Sequence, residues 1–132
     1  MYKEVISAGL SAVFVLLSGQ AIAAKSGEQV YKEVCQVCHA AGVANAPKFG
    51  DSAKWAPLIK EGQVTLTVDG WLGVRAMPPK GGNSSLSLQE FAGAVAFMAR
   101  SGGAKWQDPD AKMLADMQAL EKKKLADRAK KK

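Results

Sequence analysis

The sequence predicts an α-helical fold, and three observations predict it. Helix-start residues stand at Ser26, Asp51 and Ser87; apolar residues recur after them at helical spacing; and glycines at 62, 102 and 103 close the runs. With 132 residues, 48% of them hydrophobic, the chain suits one compact domain and is too short for two well-buried cores.

Taken in order, the first segment stands apart. Lys3 precedes an almost wholly apolar stretch from Val5 to Leu17, followed by Ala21-Ile22-Ala23-Ala24. A basic start, a short apolar centre and small residues are the marks of a secretory signal, with cleavage expected near Ala23. The apolar centre is shorter than the roughly 20 residues that span hydrocarbon, although an uncleaved anchor is the competing reading. Residues 1–23 are therefore set aside as a signal peptide, leaving a domain over 24–103 and a basic tail over 104–132.

Ser26 followed by Gln29 has the spacing of a capping box, and Val30, Val34 and Val37 extend an apolar stripe. A first helix is predicted from Gly27 to Cys38. After a loop rich in Ala and Gly, Asp51 caps a helix over Ser52–Glu61 that turns Trp55, Leu58 and Ile59 inward, and Gly62 ends it. Val64–Asp69 stays open between strand and helix, since its β-branched residues alternate within a very short run. Ser87 and Glu90 form a second capping box opening a helix over Leu88–Arg100, in which Phe91, Ala94, Val95 and Met98 share a buried face. Phe91 and Phe97 are expected to pack between the first and last helices of the domain. In the tail, Asp108-Pro109 offers a cap and a first-turn proline for a helix to Arg128, with Met113, Met117 and Leu120 as a thin apolar stripe.

The chemistry sits at Cys35-Gln36-Val37-Cys38-His39. On a helix these three side chains project from one face, and the spacing is that of haem attachment: each thiol forms a thioether with a vinyl group while the imidazole binds the iron. Rival readings are weaker. Structural zinc wants four N or S ligands, and the chain has two cysteines and one histidine. A thioredoxin-type pair wants a strand leading into the motif, and none is visible. The expected cofactor is one covalent haem c with its iron, held by Cys35 and Cys38 and ligated by His39.

One histidine excludes a second imidazole from this chain, leaving methionine, lysine, water or nothing for the sixth iron position. Methionine is the natural candidate. Met77 lies in Arg75-Ala76-Met77-Pro78-Pro79-Lys80-Gly81-Gly82, where two prolines stiffen an extended loop. Met98 follows the buried stripe instead. Trp55 and Trp71 either pack on the haem, with an indole N–H reaching its carboxylates, or belong to the plain core.

From Gly27 to Arg100 the chain resembles a class I cytochrome c, most closely the short bacterial cytochromes of the c-five kind. The resemblance rests on Val34-Cys35-Gln36-Val37-Cys38-His39, Ala46-Pro47-Lys48-Phe49-Gly50-Asp51, Trp55-Ala56-Pro57, Gly70-Trp71 and Ala76-Met77-Pro78-Pro79-Lys80-Gly81-Gly82. It implies a small all-α fold wrapped around one covalent haem, to which the tail adds a C-terminal helical extension. It also implies a helix at Val64–Asp69, Met77 as distal ligand, and the Pro47 carbonyl holding the second nitrogen of His39. One departure stands out. Many such proteins carry a second cysteine pair beyond the methionine loop, where this chain has Asn83, Ser84 and Ser85.

Charge separates domain from tail: residues 104–132 hold nine Lys or Arg against five Asp or Glu, +4 of the formal +6. A solvated extension is one reading; a cationic arm for an acidic redox partner, or for anionic lipid, is the other. Nucleic acid is not expected of an exported chain without basic and aromatic interleaving in its domain. The expected function is a periplasmic single-electron carrier rather than an enzyme. Its alternatives are a haem subunit of a larger periplasmic oxidoreductase, or a peroxidase or gas-binding protein with a labile methionine.

Overall fold

The computed structural model describes residue 19 and residues 21–132. The body of the signal segment expected over residues 1–23 lies outside the described residues. All regular structure among them is helical apart from an isolated bridge between Val74 and Met77, and no helix there is long and apolar enough to cross a membrane.

The first helix, α1, occupies residues 27–39 in three consecutive stretches: α-helical Gly27–Val30, π-helical Tyr31–Cys35 and α-helical Gln36–His39. Ser26 Oγ caps it by accepting from Gln29 N at 3.2 Å. The π turn, with Gln36 N donating to the Tyr31 carbonyl, corrects the expected stripe. An i→i+5 turn adds a residue to one turn and shifts the phase of the residues beyond it. Val30, Cys35 and His39 are therefore buried, while Val37 is 72% exposed.

The second helix, α2 (Ser52–Lys60), is capped by Asp51, whose carboxylate accepts from Lys54 N at 3.1 Å. The third, α3 (Gln63–Leu72), resolves the open segment as helix. Thr67 and Val68 are fully buried and Trp71 nearly so, and burial of that face outweighs the strand preference of β-branched residues. The fourth, α4 (Leu88–Ser101), has both halves of the Ser87–Glu90 capping box and buries almost every residue from Phe91 to Ala99, as a central helix must. It meets α1 backbone to backbone: a Cβ on Gly27 would lie 2.1 Å from the Gly93 carbonyl oxygen. Phe97 reaches α1 and the following loop, its ring 5.6 Å from Tyr31 and 5.3 Å from Phe49. Phe91 shares a core cluster with Val30 and Cys35 of α1 and also meets Trp71 of α3 edge-on at 5.6 Å.

The tail folds back as α5 (Ala111–Lys130). Its cap is Asp110, which accepts from Met113 N at 2.7 Å, not the expected Asp108. The reason is tertiary, since Asp108 is drawn into an ion pair with Arg100 at 3.0 Å. Met117 is completely buried in a cluster with Val68 and Ala92, flanked by Met113, Leu114 and Leu120. Of the two readings of the tail, the solvated extension does not describe its inner face.

Candidate functional site

A cavity of about 420 Å³ opens between α1, α3, α4 and the loop after α3, within the range of cofactor sites. Cys35, Cys38 and His39 line it from α1, and Met77 from the loop. Leu58, Leu66, Phe91, Val95 and Met98 supply apolar wall.

His39 is held at one end only. Its Nδ1 lies 2.8 Å from the Pro47 carbonyl oxygen; a carbonyl can only accept, so Nδ1 carries a proton, and in the neutral ring Nε2 is then the nitrogen with the lone pair. Phe49 N donates to the His39 carbonyl at 2.8 Å, fastening the same loop to the end of α1. Both cysteines are free thiols, Cys35 buried and Cys38 half-buried. Burial pushes the Cys35 thiol up to about 11, which keeps it protonated at neutral pH and makes it a poor metal ligand or redox nucleophile. No group of three or more His, Cys, Asp or Glu able to hold a bare metal ion occurs among the described residues.

Met77 sits in a tight turn in which Val74 N donates to the Met77 carbonyl at 3.1 Å and Met77 N to the Val74 carbonyl at 2.9 Å. Gly70 on α3 faces both it and Phe91: a Cβ there would stand in ordinary contact with Met77 Cε at 3.5 Å and crowd Phe91 Cζ at 3.1 Å. Met98, read as core, is both core and cavity wall. Lys80, the lysine of the same loop, places its ammonium over the Trp71 ring, 4.3 Å from the centroid, and not among the cavity-lining residues.

The two tryptophans part company. Trp55 lines the cavity, near the His39 ring at 6.3 Å, and its indole N–H donates to the Lys48 carbonyl at 2.8 Å. Trp71 lies in the core outside the cavity lining, its N–H donating to Glu121 Oε1 at 2.8 Å. Both indole donors are thus paired within the protein; of the two readings left open, Trp71 takes the plain core and Trp55 the cavity wall.

Sequence reasoning missed Leu66, Gly70, Arg75 and Asn83 in the lining. A glycine inside a helical run was the available signal for Gly70. Arg75 lies in the methionine loop, and its special character is conformational: among the described residues, Ala44, Asn45, Arg75 and Lys80 are the non-glycine residues with positive φ, at 50°, 64°, 51° and 56°. The first three line the cavity and the fourth closes the loop beside it. Such backbone is sparsely populated and persists where surrounding structure imposes it. Two thiols and a free imidazole nitrogen at attachment spacing, a thioether in a stiff loop and apolar walls between them fit a covalently bound haem.

Known proteins resemble the part of the chain that holds the cavity. Residues 22–98 match the family model described as cytochrome C oxidase, cbb3-type, subunit III. Cytochrome c-555 of Chlorobaculum tepidum is 41% identical over 99 residues, covering 70% of this chain and 92% of that protein. Cytochrome c5 of Azotobacter vinelandii is 40% identical over 77 residues, covering 57% and 93%. Among solved structures, a chain from an electron transfer complex of nitrite reductase with cytochrome c is 43% identical, with a TM-score of 0.55 over 58% of this chain and 93% of that one. A mono-haem ferrocytochrome c from Shewanella putrefaciens is 34% identical, with a TM-score of 0.52 over 58% and 95%.

Proposed function

The chain belongs to the class I c-type cytochromes, and from that premise we propose that it is an exported, periplasmic single-electron carrier with His39 and Met77 as the two axial ligands of one covalent haem c. The observation that carries this reading is the convergence of Cys35, Cys38, His39 and Met77 on one apolar cavity, with Nδ1 of His39 already engaged by Pro47.

When bound, the haem supplies an iron that changes oxidation state by one electron with no atom transferred to a substrate. Everything else is the work of the chain. Cys35 and Cys38 would hold the group through thioethers, and the Nδ1–H bond to Pro47 fixes the plane of the His39 ring and favours its basicity. Met77 is a soft, weak donor, which favours the reduced state relative to stronger ligands. Leu58, Leu66, Phe91, Val95 and Met98 would exclude water from the bound group, and Arg75, the one cation among the lining residues described, would offer a partner for its carboxylates. A redox partner is required; the exposed cations of α5 and of the two residues after it, including Lys122, Lys131 and Lys132, suit an acidic docking face on it or anionic lipid.

The test is Met77→Ala in the holoprotein. The reduced c-type α band stays, because Cys35 and Cys38 still attach the haem, while the weak methionine-to-iron band at the red end vanishes and the reduction potential falls. A variant that keeps both the red band and the potential sinks the assignment, and Met98→Leu then becomes the next substitution. If the unaltered protein itself lacks the red band, the open-site peroxidase or gas-binding reading takes over. The family model's description as an oxidase subunit favours one further reading, a haem subunit docked on a larger oxidoreductase.

A further inference from the structure

Helix α5 lies beyond residues 22–98, the stretch the family model matches, so the site already described leaves it without a task. Its contacts are concentrated on one place. Three residues in the last turn of α3 are each held by α5: Asp69 by an ion pair with Lys124, Trp71 by the bond from its indole N–H to Glu121, and the Leu72 carbonyl by Arg128 at 3.4 Å. Met117 anchors the same pair of helices from below with no exposure.

The last turn of α3 is where the methionine loop begins. Val74, two residues beyond Leu72, closes the turn onto Met77. The far side of that loop returns to the same point, because Lys80 sits over the Trp71 ring at 4.3 Å. Trp71 is therefore a hub: Glu121 holds its edge and Lys80 its face. The two contacts reinforce each other. An indole donating to a carboxylate carries more electron density in its ring, and a richer ring binds an ammonium more strongly. No disulfide braces this loop, since the two cysteines of the chain are both in α1 and Asn83-Ser84-Ser85 follow the methionine.

We propose that α5 is a clamp on the methionine loop, with Glu121 as a positioning residue that acts through Trp71 and Lys80 to keep Met77 seated. The inference rests on the reading of Met77 as the distal ligand. Without Glu121 the indole N–H of a buried Trp71 has no acceptor, the ring turns toward water, Lys80 loses its platform, and residues 73–82 open more often. Glu121 thereby sets how readily the sixth position is vacated, and the tail decides whether the protein behaves as a closed electron carrier or admits small ligands.

Imidazole binding to the ferric holoprotein reads this directly, because an external ligand binds only the fraction of molecules in which the methionine has left, and its apparent affinity scales with that fraction. Glu121→Ala is expected to bind imidazole about ten-fold more tightly than the unaltered protein. Hydrogen exchange at the Val74 and Met77 amides, which needs no ligand, is expected to accelerate by a similar factor. Glu121→Gln, which still offers an oxygen to the indole, stays near the unaltered values. Lys123→Ala, on the solvent side of α5 and paired with Asp127 at 3.3 Å, changes neither. Met77→Ala marks the open limit: if it binds imidazole no more tightly than the unaltered protein, the distal-ligand reading is what fails. If Met77→Ala binds more tightly but Glu121→Ala matches the unaltered protein in both measurements, or if Glu121→Gln loosens the loop as much as Glu121→Ala, the clamp is overturned. Should Glu121→Ala not fold, Lys80→Ala breaks the same chain of contacts at the loop end and must shift both measurements in the same direction.

Discussion

At the scale of the residue, the chain shows how much one polar atom depends on its surroundings. His39 has its proton placed by one carbonyl, whereas Thr67, fully buried on α3, has a hydroxyl without a hydrogen-bond partner among the described residues. A buried hydroxyl left unpaired costs on the order of 1–3 kcal/mol. Thr67→Val, which keeps the shape and removes the oxygen, is expected to leave the holoprotein as stable as before or up to about 1 kcal/mol more stable, measured by denaturant unfolding; a clear loss of stability means that the hydroxyl has a partner in the haem-loaded protein. The gathering of the candidate residues was legible because the signals are local: Cys35, Cys38 and His39 stand out by spacing and Met77 by the prolines behind it, and all four line one cavity. Trp71 was not legible, because its role is set by Glu121, 50 positions away.

Elements tell a similar story with a different boundary. The capping box of α4 could be read from Ser87 and Glu90 because both halves lie within one turn. Backbone N–H groups of Ser87 and then Lys25 hold the Glu90 carboxyl below its ordinary 4.5. Because the folded value is the lower one, this contribution is present above the unfolded value and is lost as pH falls through the folded one. Glu90→Gln should therefore be less stable than the unaltered holoprotein at neutral pH, the gap closing as pH falls below the ordinary 4.5 and through the lower folded value in acid denaturation, by the same linkage. The crossing of α1 and α4 was invisible in the sequence, since neither Gly27 nor Gly93 says which other backbone it must admit. A Cβ on Gly27 would collide with the Gly93 carbonyl, while one on Gly93 would meet nothing closer than 3.5 Å. Gly27→Ala is thus expected to destabilise by about 3 kcal/mol or more, and Gly93→Ala to be neutral or to gain up to about 1 kcal/mol of helix propensity. Comparable melting temperatures for the two variants would contradict this. The π turn in α1 and the choice of Asp110 over Asp108 were likewise beyond local reading, the latter because a cap competes with a distant arginine.

For the molecule as a whole, the cavity runs between helices that would otherwise bury one another. The domain is small, its two cysteines form no disulfide, and the face of α1 that carries them lines the cavity instead of meeting another helix. A double Cys→Ala protein expressed without haem is accordingly expected to be largely unfolded, with weak near-ultraviolet dichroism and no cooperative thermal transition; a transition near that of the holoprotein would show that the side chains suffice. The packing of α5 has a consequence of another kind. Arg128 reaches Leu72, so the helix end that carries Lys130, Lys131 and Lys132 is fixed close to the methionine loop rather than trailing free. A nearly neutral body with its surplus cations fastened at one end has a permanent dipole rigidly attached to its frame. In the field of an acidic partner such a body feels a torque before it feels a contact, and it arrives already turned with the loop side forward.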